Sequence, residues 1–191
     1  METSKFRAKM FNRKAASPKS KPDEILETLA LHSGQNIADI GVGGGYFSLR
    51  FAEAVKPGGR VYAVDTNEQF LNLLSSMSRE RGLSNLEPVH ATEGPLPLPK
   101  AGLDLVFMRN VYHHLTNRVQ YFKGVVPLLK DHGRIAIVEY RRAAHFSFRG
   151  MFKHYVPEDR IVNEMGEAGY KLEGAFAFLP EQSFTIFSVK D

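Results

Sequence analysis

No cysteine occurs among the 191 residues of this chain. Disulfides, thiolate zinc sites and thiol nucleophiles are therefore excluded. Long apolar runs are missing too. Nothing approaches the ~18 consecutive apolar residues of a membrane span, and the N-terminus lacks an apolar signal core. A soluble, cytoplasmic protein is the expectation. The seven histidines form no metal-ligand spacing, so no metal centre is expected. No internal repeat and no composition shift marks a second domain.

What remains is ordinary globular material: 43% hydrophobic and 24% charged residues, enough for one domain with a full core. The charge is unevenly spread. Lys5, Arg7, Lys9, Arg13, Lys14, Lys19 and Lys21 stand against Glu2 alone in residues 1–21. That is +6 in a chain whose total is +4, so the remainder carries −2. This arm reads as a solvated, mobile end. Phe6, Met10 and Phe11 give it a small apolar face, which makes a lid over a ligand site the other reading. A basic arm also attracts nucleic acid, although a near-neutral body weighs against that partner.

The densest signal is Ala38-Asp39-Ile40-Gly41-Val42-Gly43-Gly44-Gly45-Tyr46-Phe47. An apolar strand runs into four glycines within five positions and then into a helical pattern. Such a turn lets backbone approach a ligand closely. A dinucleotide fingerprint requires a third glycine where Tyr46 stands, so that reading fails. Asp39, two residues ahead of a G-x-G-x-G run, instead suits a ligand with a cationic sulfonium and ammonium. About 20 residues on, Arg60-Val61-Tyr62-Ala63-Val64 reads as a buried strand ending in Asp65. A carboxylate there can accept both hydroxyls of an adenosine ribose, and Thr66 follows it as a helix cap or ligand contact.

These two segments resemble the first motifs of class I S-adenosylmethionine-dependent methyltransferases. The resemblance covers residues 22–191 and implies a doubly wound, Rossmann-like α/β sheet of order 3-2-1-4-5-7-6, with residues 1–21 as a separate arm. S-adenosyl-L-methionine is the implied cofactor, held by Asp39, Gly41, Gly43, Gly45, Tyr46, Asp65 and Thr66. In that family an acid after the third strand meets the adenine amino group. Thr92 holds the acid's usual place here, with Glu93 beside it, within Ala91-Thr92-Glu93-Gly94-Pro95-Leu96-Pro97. The fourth motif matches Met108, Arg109 and Asn110 as cofactor-lining residues.

After that motif comes Val111-Tyr112-His113-His114-Leu115, without the paired prolines common in methyltransferases of planar nitrogen. The form resembles the branch that includes quinone-biosynthesis C-methylating enzymes, so a small-molecule methyl acceptor is expected. An RNA or protein acceptor guided by the basic arm, or a non-catalytic cofactor-binding protein, are the competing readings. Methyl transfer from a sulfonium is an in-line displacement that chiefly needs positioning and exclusion of water. Where the acceptor must first lose a proton, His113, His114 and Glu139 are the candidate base and its support, with Tyr140 nearby. Phe146, Phe148, Phe152, His154 and Tyr155 are candidates for an aromatic wall.

The coarse pattern predicts strands at 36–40, 60–65, 86–90, 103–108 and 134–139, separated by helices. Lys130-Asp131-His132-Gly133 is read as a turn after a helix over 118–129. Two closing strands, about 170–178 and 183–189, are joined by a link too short for a parallel crossover and must form an antiparallel hairpin.

Overall fold

The computed structural model describes residues 2–92, 94–141 and 155–190. Glu93 and the candidate wall residues Phe146, Phe148, Phe152 and His154 lie outside them. In chain order the elements are α1 (Glu2–Ala15), α2 (Pro22–Leu29), β1 (Asn36–Ile40), α3 (Tyr46–Ala54), β2 (Arg60–Asp65), α4 (Glu68–Glu80) and β3 (Leu86–His90). They continue with β4 (Leu103–Arg109), α5 (Arg118–Val125), β5 (Leu129–Tyr140), α6 (Glu158–Glu167), β6 (Tyr170–Phe176) and β7 (Gln182–Val189).

The seven strands form one sheet in the order β3-β2-β1-β4-β5-β7-β6. Five are parallel, and β7 runs antiparallel to both β5 and β6. The sheet, its order and its closing hairpin are those expected from the sequence. Helices cover both faces, so the central strands are apolar on both sides and their period of two is hidden in the sequence.

That period is nevertheless what builds the site. One face carries Ile37, Val61, Ala63, Leu105, Phe107, Val138 and Phe184, packed against α2, α3 and α4. The other carries Ala38, Val64, Val106, Met108, Ile137 and Phe187, packed against α5 and α6. Side chains alternate along a strand. Asp39, Asp65, Arg109, Tyr140 and Gln182 therefore all fall on the α3 face at the carboxyl edge of the parallel strands. Glu139 falls on the α5 face.

Two boundaries depart from the sequence reading. Helix α5 stops at Val125 because Pro127 converts Val126–Leu128 into a 3-10 turn. The expected turn at Lys130–Gly133 is part of β5, as an irregularity: Leu103 pairs with Leu129, but Leu105 pairs with Arg134. Lys130 Nζ donates to Asp104 Oδ2 at 2.7 Å and anchors the extra residues. The α5–α6 seam is closed by Glu164, which accepts from Arg118 Nε (2.6 Å) and Nη2 (2.8 Å), from Tyr112 Oη (2.8 Å) and from Arg160 Nε (2.8 Å).

The basic arm is not a free end. Residues 2–15 form α1, which lies against α3 and α4. Its buried residues are Ala8 and Ala15, while Phe6, expected on the apolar face, is 71% exposed.

Candidate active site at the carboxyl edge of the sheet

The turn after β1 uses left-handed backbone at Gly41 (φ 75°), Gly43 (φ 53°) and Gly45 (φ 84°), a conformation that side-chain-bearing residues rarely adopt. The close approach that makes glycine necessary is, however, partly to the protein itself. A Cβ at Gly41 would run into Val111, one at Gly44 into Asn12 and the Ala8 carbonyl, and one at Gly43 would press on the Phe11 ring at 3.2 Å. A side chain at Gly43 therefore meets α1.

Asn12 fastens α1 to this turn. Its Nδ2 donates to the Gly44 carbonyl (2.8 Å), and its Oδ1 accepts from the Tyr46 amide (3.1 Å). It thereby satisfies one of the amides left unpaired at the start of α3. Phe11 packs edge-on against Phe70 of α4, with Arg7 about 5.8 Å from the Phe70 ring. The sequence carries no local sign of these contacts, because Asn12 sits unremarked in a run of basic residues.

Asp39 is buried beneath the turn and accepts a hydrogen bond from Ser48 Oγ of α3 (2.5 Å). Burial, aided by the nearby Asp65 charge, outweighs the Ser48 hydrogen bond and pushes its carboxyl up from the ordinary 3.8 to about 7. Such a group gains from a cation brought beside it. Asp65 ends β2 and is organised by backbone: Oδ2 accepts from the Gly43 amide (3.0 Å) and Oδ1 from the Asn67 amide (2.9 Å). Two carboxylate oxygens have about four acceptor positions, so hydroxyls can still be received. The acids fit an adenosyl ligand with a cationic tail: Asp39 and Asp65 flank a glycine turn whose Gly41 and Val42 amides are held by the Val64 carbonyl.

The remaining expected contacts are distributed unevenly. Tyr46 brings its amide to the turn, but its ring lies in a groove of about 400 Å³ between α1, α3 and α4, where its hydroxyl accepts from Arg50 (3.1 Å). Thr66 and Thr92 are both exposed. Thr92 follows β3, the strand that pairs with β2, so it stands on the Asp65 side of the edge.

On the other side of β1, Arg109 ends β4 and Asn110 turns the chain with φ 58°, a conformation asparagine tolerates better than most residues. Asn110 Oδ1 accepts from Gln182 Nε2 (2.6 Å). Arg109 Nη2 donates to Ser20 Oγ (2.9 Å) and Gln182 Oε1 (3.3 Å), and the guanidinium lies 5.7 Å from the Phe47 ring centre. Burial lowers its pKa. Ser20 and Gln182, distant in sequence, were not legible as site residues.

His113 and Glu139 meet. Glu139 is fully buried and accepts from His113 Nδ1 (3.0 Å), the His113 amide (3.1 Å) and the Tyr140 amide (2.7 Å). A carboxylate accepts, so Nδ1 carries the hydrogen and Nε2 is the basic nitrogen. His114 is exposed, its ring 4.0 Å from that of His113.

A family model for the methyltransferase domain matches residues 38–137. The chain is 26% identical over 140 residues to the uncharacterized methyltransferase YcgJ of Bacillus subtilis, covering 73% of this chain and 49% of that protein. It is 26% identical over 137 residues to the demethylmenaquinone methyltransferase of Geobacillus kaustophilus, covering 70% and 57% respectively. The chain thus spans 49% and 57% of the length of these two relatives. Among solved structures, a SAM-dependent methyltransferase from Aquifex aeolicus superposes with a TM-score of 0.83 at 20% identity, covering 95% of this chain and 98% of that one. The matched span runs from the glycine turn through β5, and with it the chain belongs to the class I S-adenosylmethionine-dependent methyltransferase family.

Proposed function

We propose that this protein transfers the methyl group of S-adenosylmethionine to a small-molecule acceptor. The observation that carries this is Asp39, a carboxyl buried under a glycine turn and bonded to Ser48, beside Asp65 at the end of β2, whose oxygens are held by the Gly43 and Asn67 amides. The cosubstrate supplies an already activated methyl on a cationic sulfur. This chain's own part is to bind, orient and exclude water. Asp65 receives ribose hydroxyls, Asp39 faces the positive end, backbone at Gly41 and Gly43 lines the path between them, and backbone at Asn110 stands beyond Asp39 on the β4 side. The N-terminal arm acts as a cover held by Asn12 and Phe11, and residues 22–191 form the methyl-transfer domain.

The His113–Glu139 pair serves acceptors that must lose a proton. Glu139 holds the ring and its tautomer, and Nε2 takes the proton. A small-molecule acceptor is supported by the Geobacillus relative, whose name states that it methylates demethylmenaquinone, and by the absence of a Pro-Pro run after Asn110. The test is transfer of radiolabelled methyl from S-adenosylmethionine to a panel of phenols, quinols and small amines, with total RNA and mixed protein as parallel acceptors. Label in the small-molecule fraction, abolished by Asp65→Ala, is the expected result. Label confined to RNA or protein would replace the acceptor class.

A further inference from the structure

The cation at the β4 end has no anion among the described residues. Arg109 is the third charged side chain on the α3 face of the carboxyl edge, after Asp65 on β2 and Asp39 on β1, and the strand order places it on the side of β1 away from Asp65. A buried guanidinium is normally paired, since removing it from water without a counter-charge is costly. Arg109 makes no ion pair among the described residues. Its hydrogen bonds run through Nη2 alone, to the neutral oxygens of Ser20 and Gln182, and Nε is buried with no partner. The contrast within the molecule is direct: Arg118, on the opposite face, is matched by Glu164 through two bonds.

The surroundings hold Arg109 in place without neutralising it. Ser20 Oγ donates onward to the Lys14 carbonyl (2.6 Å), so its lone pairs face the guanidinium. Gln182 is oriented by its own bond to Asn110. Phe47 supplies the flat face below. Four segments of the chain converge here: a 3-10 turn at Pro18–Ser20 before α2, β4, β7 and the start of α3. This is a constructed cation, partly exposed at the edge on the side of β1 away from Asp65.

Resting on the methyltransferase reading, we propose that the Arg109 side chain, steadied by Ser20 and Gln182, recognises a carboxylate on the methyl acceptor. The acids at Asp39 and Asp65 suit a cationic donor. The cation on β4 suits an anionic acceptor arriving from the β5–β7 side. A planar guanidinium matches a carboxylate through paired hydrogen bonds. The cosubstrate also carries a carboxylate in its amino-acid tail, so the experiment separates the two sources.

Wild type and Arg109→Met are each saturated with S-adenosylhomocysteine and titrated at constant ionic strength with three carboxylates (acetate, benzoate and indole-3-carboxylate) and their three amides, followed by ligand-observed NMR. In wild type at least one carboxylate binds tenfold or more tightly than its amide. In Arg109→Met that preference disappears, S-adenosylhomocysteine affinity stays within threefold, and the ligand-free melting temperature is unchanged or higher, because an unpaired charge is gone. Ser20→Ala reduces the preference without abolishing it, and serves as the second variant if Arg109→Met does not fold. Equal binding of acids and amides in wild type overturns the inference. So does a tenfold loss of S-adenosylhomocysteine affinity in Arg109→Met, which would assign the cation to the cosubstrate's own tail. Failure of wild type to bind S-adenosylhomocysteine at all would instead remove the underlying methyltransferase reading.

Discussion

Arg118 and Arg109 lie on opposite faces of one sheet and are treated in opposite ways. At the α5–α6 seam, Arg118 meets Glu164 at 2.6 and 2.8 Å, Tyr112 and Arg160 complete the cluster, and the guanidinium pKa is raised by the Glu164 bonds. At the strand edge, Arg109 has only neutral hydrogen-bond partners among the described residues and its pKa is lowered by burial. The first is an interaction completed within the chain, and it fastens two helices. The second is incomplete without a ligand. The same contrast holds for the acids. Burial opposes ionisation of Glu164, but its bonds from Arg118, Arg160 and Tyr112 hold it down at about 2, whereas Asp39, with one serine for company, is pushed up to about 7. The balanced charges hold the fold together, and the unbalanced ones lie at the edge where the proposed function places the ligands.

The largest effect expected from breaking this contrast is at the seam. Glu164→Ala removes the carboxylate from two arginines and a tyrosine and should cost about 3 kcal/mol of stability, measured by denaturant unfolding. Once folded, it should bind S-adenosylhomocysteine as wild type does. Because the Glu164 pKa is lowered from 4.5 to about 2, its contribution is present above pH 4.5 and fades as pH falls toward 2. Wild-type and variant stabilities should therefore converge in acid.

At the edge the losses should appear in binding instead. Asp65→Ala removes the acceptor of the Gly43 and Asn67 amides and, on the proposed function, of the ribose hydroxyls, and should weaken S-adenosylhomocysteine by about 2 kcal/mol, read by calorimetry. Unchanged affinity would take Asp65 out of the site.

Asp39 sharpens the contrast through pH. Its folded pKa lies above its unfolded value, so its protonated form favours folding below about pH 3.8, and that advantage is lost as pH rises to about 7. Ligand-free protein should lose stability across that window, and Asp39→Asn should not. A cationic ligand selects the ionised form, so S-adenosylmethionine affinity should fall by up to about tenfold per pH unit below 7. The fall should be absent in Asp39→Asn, and equal slopes in the two proteins would discard the role. The smallest effect is at Asn12→Ala, where loss of the bonds to Gly44 and Tyr46 should cost about 1 kcal/mol of stability, measured by chemical denaturation.

Much of the fold was legible because its signals are local. The glycine run, the acid two residues before it and the acid closing the next strand are contiguous or regularly spaced, and each maps to the edge of the sheet as read. The closing hairpin followed from the length of one linker. The rest depends on contacts between distant segments. Asn12 reaches Gly44 and Tyr46 from a helix whose composition suggests only a solvated arm. Arg109 is readable as part of a motif, but its lack of a counter-charge emerges only when Ser20 and Gln182 fold around it. His113 and Glu139 were each placed at strand ends by sequence, and their contact comes from the parallel pairing of β4 with β5. The Lys130–Gly133 segment reads as a turn because its residues are turn formers, and it is held in β5 by Asp104, a partner the local pattern does not reveal.

The most direct test of the account is calorimetric titration of the folded, cofactor-free protein with S-adenosylmethionine, S-adenosylhomocysteine and NADH. Micromolar binding of both adenosyl ligands, no binding of NADH, and loss of the adenosyl binding in Asp65→Ala are the results expected if the strand edge is a methyl-donor site. Absence of binding by both adenosyl ligands to protein shown to be folded would contradict it.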